Sequence, residues 1–154
     1  MIYRALAWDR AREAYYFAYG LPSYGFETTE VSEIGTPRGD FIEVNPATWG
    51  RGTGYKDCTG KEIFTGDIVE LKAKGVNRRF TVVETTLDRE YNTLQGFGGR
   101  EKTVKVRLQG VIAFEWQQDG TIYHLLPCID KYGVCDTEAM RIVGDIHTKP
   151  REKK

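Results

Sequence analysis

Apolar and polar residues alternate in short runs along most of the chain, and glycine or proline separates the runs. Tyr3 to Trp8 (YRALAW) alternates, and after the polar break DRARE the segment AYYFAYGL at 14–21 is rich in aromatic residues. Alternation of period two and aromatic enrichment favour strands over helices. The pattern predicts an N-terminal β-hairpin of strands 2–8 and 14–21. A turn of helix through RAREA is the competing interpretation, and its aromatic flanks disfavour it.

Residues 22–40 predict a loop, because two prolines and three glycines interrupt any regular run. A short strand is predicted inside this loop at 26–31. FIEV at 41–44 predicts another short strand. The PATWG segment after it predicts a single tight turn, which Pro46 starts and Gly50 ends.

The second half of the chain predicts further short strands joined by turns. QQDG at 117–120 is typical of a hairpin turn, because Asp-Gly adopts the positive φ angles that such a turn needs. The run from 87 to 102 is polar and contains glycine, so it predicts a long loop. One helical turn is expected at 136–138, where Asp136 can cap it. The predicted strands are 67–73, 80–86, 104–108, 111–116, 121–127 and 140–147.

These strands predict a mainly β fold, namely an SH3-like small barrel with an N-terminal β-hairpin extension and a long loop insert. The long loop at 87–102 lies between two barrel strands, within an insert of roughly residues 73–103. The predicted divisions are a hairpin and loop region at 1–52, the barrel at 53–148, and a frayed charged tail at 149–154.

The composition narrows the functional classes. The 154 residues carry 22 Lys and Arg against 22 Asp and Glu, so no global field draws the chain onto nucleic acid or anionic lipid. The three cysteines form no paired motif, which disfavours a zinc site and suits a reducing compartment. The N-terminus lacks the apolar run of a signal peptide, and no stretch approaches the roughly 20 apolar residues of a membrane helix. We expect a cytoplasmic protein without membrane contact.

The segment TGYKDCTGKEIFTGDIV at 53–69 has two interpretations. A phosphate-binding loop needs a helix after its glycines and Ser or Thr after its lysine. Here Glu62 follows Lys61, and a carboxylate at that point repels phosphate. DIVELKA after Gly66 predicts a strand rather than a helix. We therefore interpret Gly60, Gly66 and Asp67 as turn residues, with Asp67 accepting backbone N–H groups.

Three segments together resemble one family of proteins. YRALAWDRAREAYYFAYG is similar to that family's opening, FRAWD followed by a hairpin. TGYKDCTGKEIFTGDIV is similar to its central pattern, in which TG, an aromatic or Leu, KD, GKEI, an aromatic and GD-I-V follow in order. RIVGDIHTKP is similar to its closing VIGNIYENP. The family is the YopX family of phage and prophage proteins. The resemblance implies a β-rich fold with an SH3-like barrel, a host bacterium, and no established enzymatic activity.

The candidates for metal or catalytic chemistry are isolated in the sequence. His124 and His147 are the only histidines, and His124 precedes Cys128 without the further ligands that a metal site needs. Cys58 stands in a predicted turn, where no base or helix N-terminus is expected to activate the thiol. The carboxylates of the central motif show no spacing that fixes them across a cleft. We predict no catalytic residue, no cofactor and no bound metal.

Basic and aromatic residues in and near the predicted insert form the most suggestive group. Small barrels bind single-stranded nucleic acid through stacked aromatic rings and a positive groove. Acidic residues in the same segment dilute the charge, so a solvated loop is the competing interpretation. The predicted contacts to nucleic acid or to a partner are Arg78, Arg79, Tyr91, Phe97, Arg100 and Lys102.

Two functions remain open from the sequence. The first is a non-enzymatic binding module, which attaches to a host or phage protein or to a second copy through edge strands and exposed aromatic residues. The second is an accessory protein that binds nucleic acid through the basic group. An enzyme is the weakest option, because no nucleophile–base pair, metal set or cofactor motif is present.

Overall fold

The structure is a computed structural model that describes residues 2–24, 31–73, 75–95 and 100–148. These residues form two antiparallel sheets and two short 3-10 helices, Pro46–Thr48 and Asp136–Ala139. The strands are β1 (Tyr3–Asp9), β2 (Ala14–Tyr24), β3 (Val31–Gly35), β4 (Phe41–Glu43), β5 (Gly50–Lys56), β6 (Glu62–Phe64), β7 (Asp67–Ala73), β8 (Val76–Gln95), β9 (Arg100–Gln118), β10 (Thr121–Leu125) and β11 (Met140–Asp145). The first sheet has the order β4-β3-β2-β1-β5-β6, and the second has the order β10-β9-β8-β7-β11.

The first sheet contains the predicted N-terminal hairpin, in which β1 pairs with β2 from Tyr3↔Gly20 to Asp9↔Ala14. Directly opposite residues of an antiparallel pair share a face. One face carries the small residues Ala5 and Ala18, which are buried against β3 and β4. The other face carries larger side chains, which are Arg4, Leu6 and Trp8 on β1 opposite Tyr19, Phe17 and Tyr15 on β2.

The predicted loop insert is wrong. β8 and β9 form one long hairpin that pairs from Thr81↔Glu115 to Gln95↔Arg100, with one register shift between Thr85 and Leu87. The predicted strands 80–86, 104–108 and 111–116 are parts of these two strands. The segment 87–102 resembles a loop in sequence because most of its residues are polar, so it lacks the period-two alternation that predicts a strand. Most of the predicted strand at 26–31 lies outside the described residues, and β3 begins at Val31.

The described residues do not form a closed barrel, and the predicted SH3-like arrangement is not confirmed. β5 and β6 extend the first sheet beside β1, whereas β7 to β11 form a second, open sheet with β10 and β11 at its edges. Strand lengths and spacings are compatible with either arrangement, because they do not specify which strands become neighbours. The predicted divisions at 1–52 and 53–148 stay a prediction; β5 crosses position 52. The tail at 149–154 lies outside the described residues.

The β5–β6 hairpin connects the two sheets. It is hydrogen-bonded within the first sheet, yet Ile63 of β6 is fully buried among Val69, Phe80 and Phe114 of the second sheet. Tyr55 of β5 also packs on this cluster. The two sheets therefore share one apolar core at this hairpin.

A buried ion pair crosses the same junction. Arg4 of β1 donates from Nη2 to Oδ1 of Asp67, the first residue of β7, at 2.6 Å, and only 4% and 2% of their side chains are exposed. The Arg4 guanidinium lies over the rings of Phe17 and Phe64, at 4.1 and 5.0 Å from their centroids. The second carboxylate oxygen of Asp67 accepts from the Phe64 amide at 2.8 Å. Asp67 thus holds β1, β6 and β7 together.

Gly50 makes room for this arrangement. It lies opposite Arg4 on β5, and a Cβ atom there would come within 2.7 Å of the Thr65 carbonyl oxygen and 3.5 Å of Arg4 Cγ. A side chain at position 50 would therefore displace the backbone of the turn at Thr65 that leads into β7. This glycine serves close approach between the sheets, and no ligand is needed to explain it.

We expect the Arg4–Asp67 pair to behave as a unit in unfolding experiments. Asp67→Asn keeps an acceptor for the Phe64 amide but leaves a buried, uncompensated guanidinium, so it should lower the free energy of unfolding by about 3–5 kcal/mol. Arg4→Met should lower the free energy of unfolding by a similar amount, because it leaves the buried Asp67 carboxylate without its counter-ion. The double variant should lose less than either single variant. Urea unfolding measures all three, and strictly additive losses would contradict a coupled pair.

Candidate functional site

The central motif, residues 53–69, forms two turns and no ligand cradle in the described structure. Gly60 and Gly66 have φ angles of +84° and +93°, which glycine adopts without strain. Strand β7 follows Gly66 directly, so the helix that a phosphate-binding loop needs is not there. The Gly66 amide donates to the Val82 carbonyl at 2.8 Å, and its carbonyl accepts from Ile146 at 2.9 Å. Both polar backbone groups of Gly66 are therefore hydrogen-bonded within the protein and are not free to bind a ligand.

Asp57, in the first turn of the motif, is a buried acceptor that the sequence analysis did not single out. Its Oδ1 accepts from the amides of Thr59 and Lys61 at 2.9 and 3.0 Å and from the Thr59 hydroxyl at 2.6 Å. Its Oδ2 accepts from the amide of Ile142, on β11, at 3.1 Å. The next residue, Cys58, donates its amide to the Met140 carbonyl. This turn therefore fastens the last strand to the β5–β6 hairpin.

The two buried carboxylates of the motif have opposite pKa shifts. Burial opposes the charge on Asp57, but the hydrogen bonds from Thr59, Ile142 and Lys61 together outweigh it and hold the pKa below the ordinary 3.8. Burial raises the pKa of Asp67 above 3.8, against the lowering effects of the Phe64 amide and of Arg4. Both shifts follow from the structural roles of the two groups.

The histidines and cysteines do not come together. His124 Nε2 lies 2.9 Å from Glu115 Oε2 on the neighbouring strand, and His147 follows β11 beside Gly66. Cys58, Cys128 and Cys135 are free thiols. Within the described residues, no group of three or more His, Cys, Asp or Glu side chains is arranged to hold a metal ion. In the same residues, no helix has the length and apolar character required to cross a bilayer.

Arg78 and Arg79, two of the predicted contacts, are neighbours on β8 and point to opposite faces of the sheet. The Arg78 guanidinium lies 4.9 Å from the ring centroid of Trp116, which stacks on Tyr123 at 5.2 Å. Arg79 donates from Nε to Glu70 at 3.1 Å, and hydrogen bonds from Lys72 and Arg79 lower the pKa of Glu70. The two arginines therefore do not form one basic surface.

Three of the other four predicted contacts belong to the strands of the long hairpin. The backbone of Tyr91 pairs with Val104, that of Lys102 with Thr93, and that of Arg100 with Gln95. Phe97 lies outside the described residues. Sequence reasoning had placed all four in a loop, and the paired strands give three of them a fixed register.

Two basic groups of this hairpin, Arg107 and Lys105, lie directly opposite acidic groups on the neighbouring strand. Arg107 donates to Asp88 at 3.0 Å, which raises the pKa of Arg107, and Lys105 lies 3.7 Å from Glu90. Opposite charges directly across an antiparallel pair stabilise the register. They also cancel the positive field that a phosphate backbone would require.

A cleft of ≈ 520 Å³ opens between the two sheets. Stacked rings of Tyr3 and Trp49, 4.5 Å apart, form one wall, and His147 lines the opening. Arg51 Nε lies 3.5 Å from Glu84 Oε2, so the two charges of the cleft offset each other. The cleft therefore has no net charge with which to select an anionic or cationic ligand.

The least expected feature is an uncovered apolar surface on the first sheet, which we call the open face. Six large side chains are exposed on the side of β1 and β2 that also carries Arg4, and on β4 beyond them. Trp8 meets Tyr15 edge to face at 4.9 Å, and Tyr19 meets Phe64 in the same way at 5.3 Å. The open face consists of Ile2, Trp8, Tyr15, Tyr19, Leu21 and Phe41.

A shallow apolar pocket lies within the open face. It has a volume of ≈ 350 Å³ and lies between Tyr19 and Leu21 of β2, Ile2, and the turn at Gly35–Pro37. A partial signal for this surface is present in the segment YYFAYGL, which carries aromatic residues on both faces of a strand. The strand register brings Ile2, which directly precedes β1, together with Leu21 of β2 and Phe41 of β4.

We expect Asp57→Asn to lower stability in a pH-dependent way. Asparagine offers one acceptor oxygen where the carboxylate accepts four donors, so the loss near pH 7 should be about 2 kcal/mol. The pKa of folded Asp57 is below 3.8, so the stabilisation is present above that pH and is lost as the pH falls through the folded value. Unfolding of both proteins from pH 7 to pH 2.5 should show the difference shrinking below pH 4. A difference that stays constant with pH would contradict a role for the ionised carboxylate.

Comparison with known proteins places the chain in a family. No curated protein and no solved structure matches the sequence. Residues 7–152 match the family described as YopX protein, which covers nearly the whole chain and includes both turns of the central motif. The chain therefore belongs to the YopX family.

Proposed function

We propose that this chain is a non-enzymatic binding module, an accessory protein of phage or prophage origin, which binds a protein partner through the open face. The observation that carries the proposal is the exposure of six large apolar side chains on one side of a sheet. A sheet normally buries its apolar face against another layer. Among the described residues on this side of the first sheet, Arg4 and Leu6 are buried and Phe17 is half-buried, whereas the six side chains of the open face are exposed. Exposed apolar side chains grouped on one side of a sheet mark interaction sites.

The chemistry of the open face favours a protein over a nucleic acid. Tyrosine, tryptophan and phenylalanine are the residues that contribute most to protein interfaces, since they bury large areas at a low entropic cost. Glu33 and Glu43 lie on the same side of the sheet next to Phe41. Their negative charges would repel a phosphate backbone and would attract a basic side chain.

Nucleic-acid binding through Arg78, Arg79, Tyr91, Phe97, Arg100 and Lys102 stays a prediction. We expect no retention of single-stranded DNA or RNA at low salt, because Arg78 is stacked on Trp116 and Arg79 is paired with Glu70. A filter-binding titration at about 50 mM salt tests this. Binding that weakens steeply with salt, with a smaller slope in the Arg78→Ala/Arg79→Ala variant, would support the nucleic-acid function instead.

The open face can be tested with one charged substitution and a matched control. Leu21→Glu places a carboxylate in the centre of the open face. The control, Ile122→Glu, makes the same change on β10 of the second sheet. The two side chains are similarly exposed, Leu21 at 62% and Ile122 at 57%. In a pull-down from a lysate of the host bacterium, the wild-type protein and Ile122→Glu should retain the same partner, and Leu21→Glu should lose it. Retention should survive about 0.3 M salt, because apolar contacts are not screened. Equal capture by all three proteins would contradict the proposal.

A further inference from the structure

A second exposed apolar feature projects from the other sheet. Residues 129–134, here called the apolar loop, connect β10 to the second 3-10 helix and close with a bridge between Ile129 and Cys135. Ile129, Tyr132 and Val134 are all exposed, and Tyr132 is 78% exposed. Lys131 lies with its ammonium 5.0 Å from the ring centroid of Tyr132. The loop thus offers three apolar side chains and one cation to solvent.

The apolar loop is held in one shape by its own hydrogen bonds. Asp130 accepts from the amides of Tyr132 and Val134 at 2.8 and 3.0 Å through Oδ1. Its backbone amide donates to the Val134 carbonyl, and Gly133 donates to the Asp130 carbonyl. A braced loop loses little conformational entropy when it binds, which favours its use as a contact.

The open face has the complementary chemistry. Its pocket between Ile2, Tyr19 and Leu21 is lined almost entirely by apolar atoms and is large enough to receive an aromatic ring. Glu33 and Glu43 lie directly opposite each other on the same side of the sheet. Like charges in this position repel, and among the described residues neither carboxylate is paired with a basic group. A cation from outside would relieve the repulsion.

We propose that the open face binds the apolar loop of a second copy of this chain, with Tyr132 in the pocket and Lys131 between Glu33 and Glu43. This proposal rests on the proposed function and names its partner. Each monomer exposes both surfaces, so the apolar loop does not cover the open face of its own chain. Two different surfaces in contact make a head-to-tail interface, which builds a ring where the rotation closes and a filament where it does not.

Self-association is measured by sedimentation velocity over a concentration series at 0.15 M salt. The wild-type protein and the Ile122→Glu control should associate. Leu21→Glu disables the open face, and Tyr132→Glu disables the apolar loop. Each of these should associate about tenfold more weakly or stay monomeric. Circular dichroism and thermal unfolding check that all variants are folded.

Mixing the two disabled variants separates a head-to-tail interface from a symmetric one. Leu21→Glu retains an intact apolar loop, and Tyr132→Glu retains an intact open face. The mixture should therefore form a one-to-one complex that grows no further, although each variant alone stays monomeric. A mixture that remains monomeric, beside a wild type that associates, would overturn the head-to-tail arrangement.

A charge exchange tests the contact without touching the apolar surfaces. Lys131→Glu should weaken association about tenfold, and adding Glu43→Lys in the same chain should restore most of the loss. Failure of the second change to rescue the first would overturn the placement of Lys131. A wild type that is monomeric at every concentration would overturn the second copy as partner. The proposed function would still hold in that case if Leu21→Glu alone loses the captured protein, and both would fail if it does not.

Discussion

The fold depends on a charged contact placed where the two sheets meet. Arg4, the second residue of β1, and Asp67, the first residue of β7, are both buried, so each carries a desolvation cost that the opposite charge offsets in large part. Within the described residues, Nε of Arg4 has no hydrogen-bond partner, which leaves the pair incompletely satisfied. The arrangement therefore fixes geometry more than it adds stability. β1 must lie where its guanidinium reaches β7 between Phe17 and Phe64.

The central motif forms part of this junction. Asp67 orients the start of β7, and Asp57 fastens the end of the chain to the same hairpin through the Ile142 amide. Gly50 allows the backbones to approach closely, and Gly66 adopts a φ angle of +93° at the turn into β7. A segment that resembles a ligand loop in its glycine content is, in this structure, the joint between two layers, and its polar groups are used within the protein.

Local elements were predictable from the sequence, and their partners were not. The N-terminal hairpin and the Asp119-Gly120 turn follow from period-two alternation and from turn chemistry, which act over a few residues. The long β8–β9 hairpin was missed because cross-strand partners such as Asp88 and Arg107 only become visible once the register is known. The barrel prediction was wrong because the neighbours of β5 are set by contacts between distant residues.

The turn role of Asp67 could be predicted from the sequence, whereas its pairing with Arg4, 63 positions away, could not. The open face could not be predicted either. Alternation shows that a strand has an apolar side, but it does not show whether another layer covers that side.

The central claim is that the joint formed by Arg4, Asp57 and Asp67 makes the two sheets one cooperative unit, leaving the open face as the surface that remains for binding. Native-state hydrogen exchange tests this most directly, by comparing the slowest amides of β1 and β2 with those of β8 and β9. The account predicts that both sets exchange through the same global opening, with equal free energies. Opening of the first sheet at a free energy lower by about 2 kcal/mol or more, while the second sheet stays protected, would contradict it.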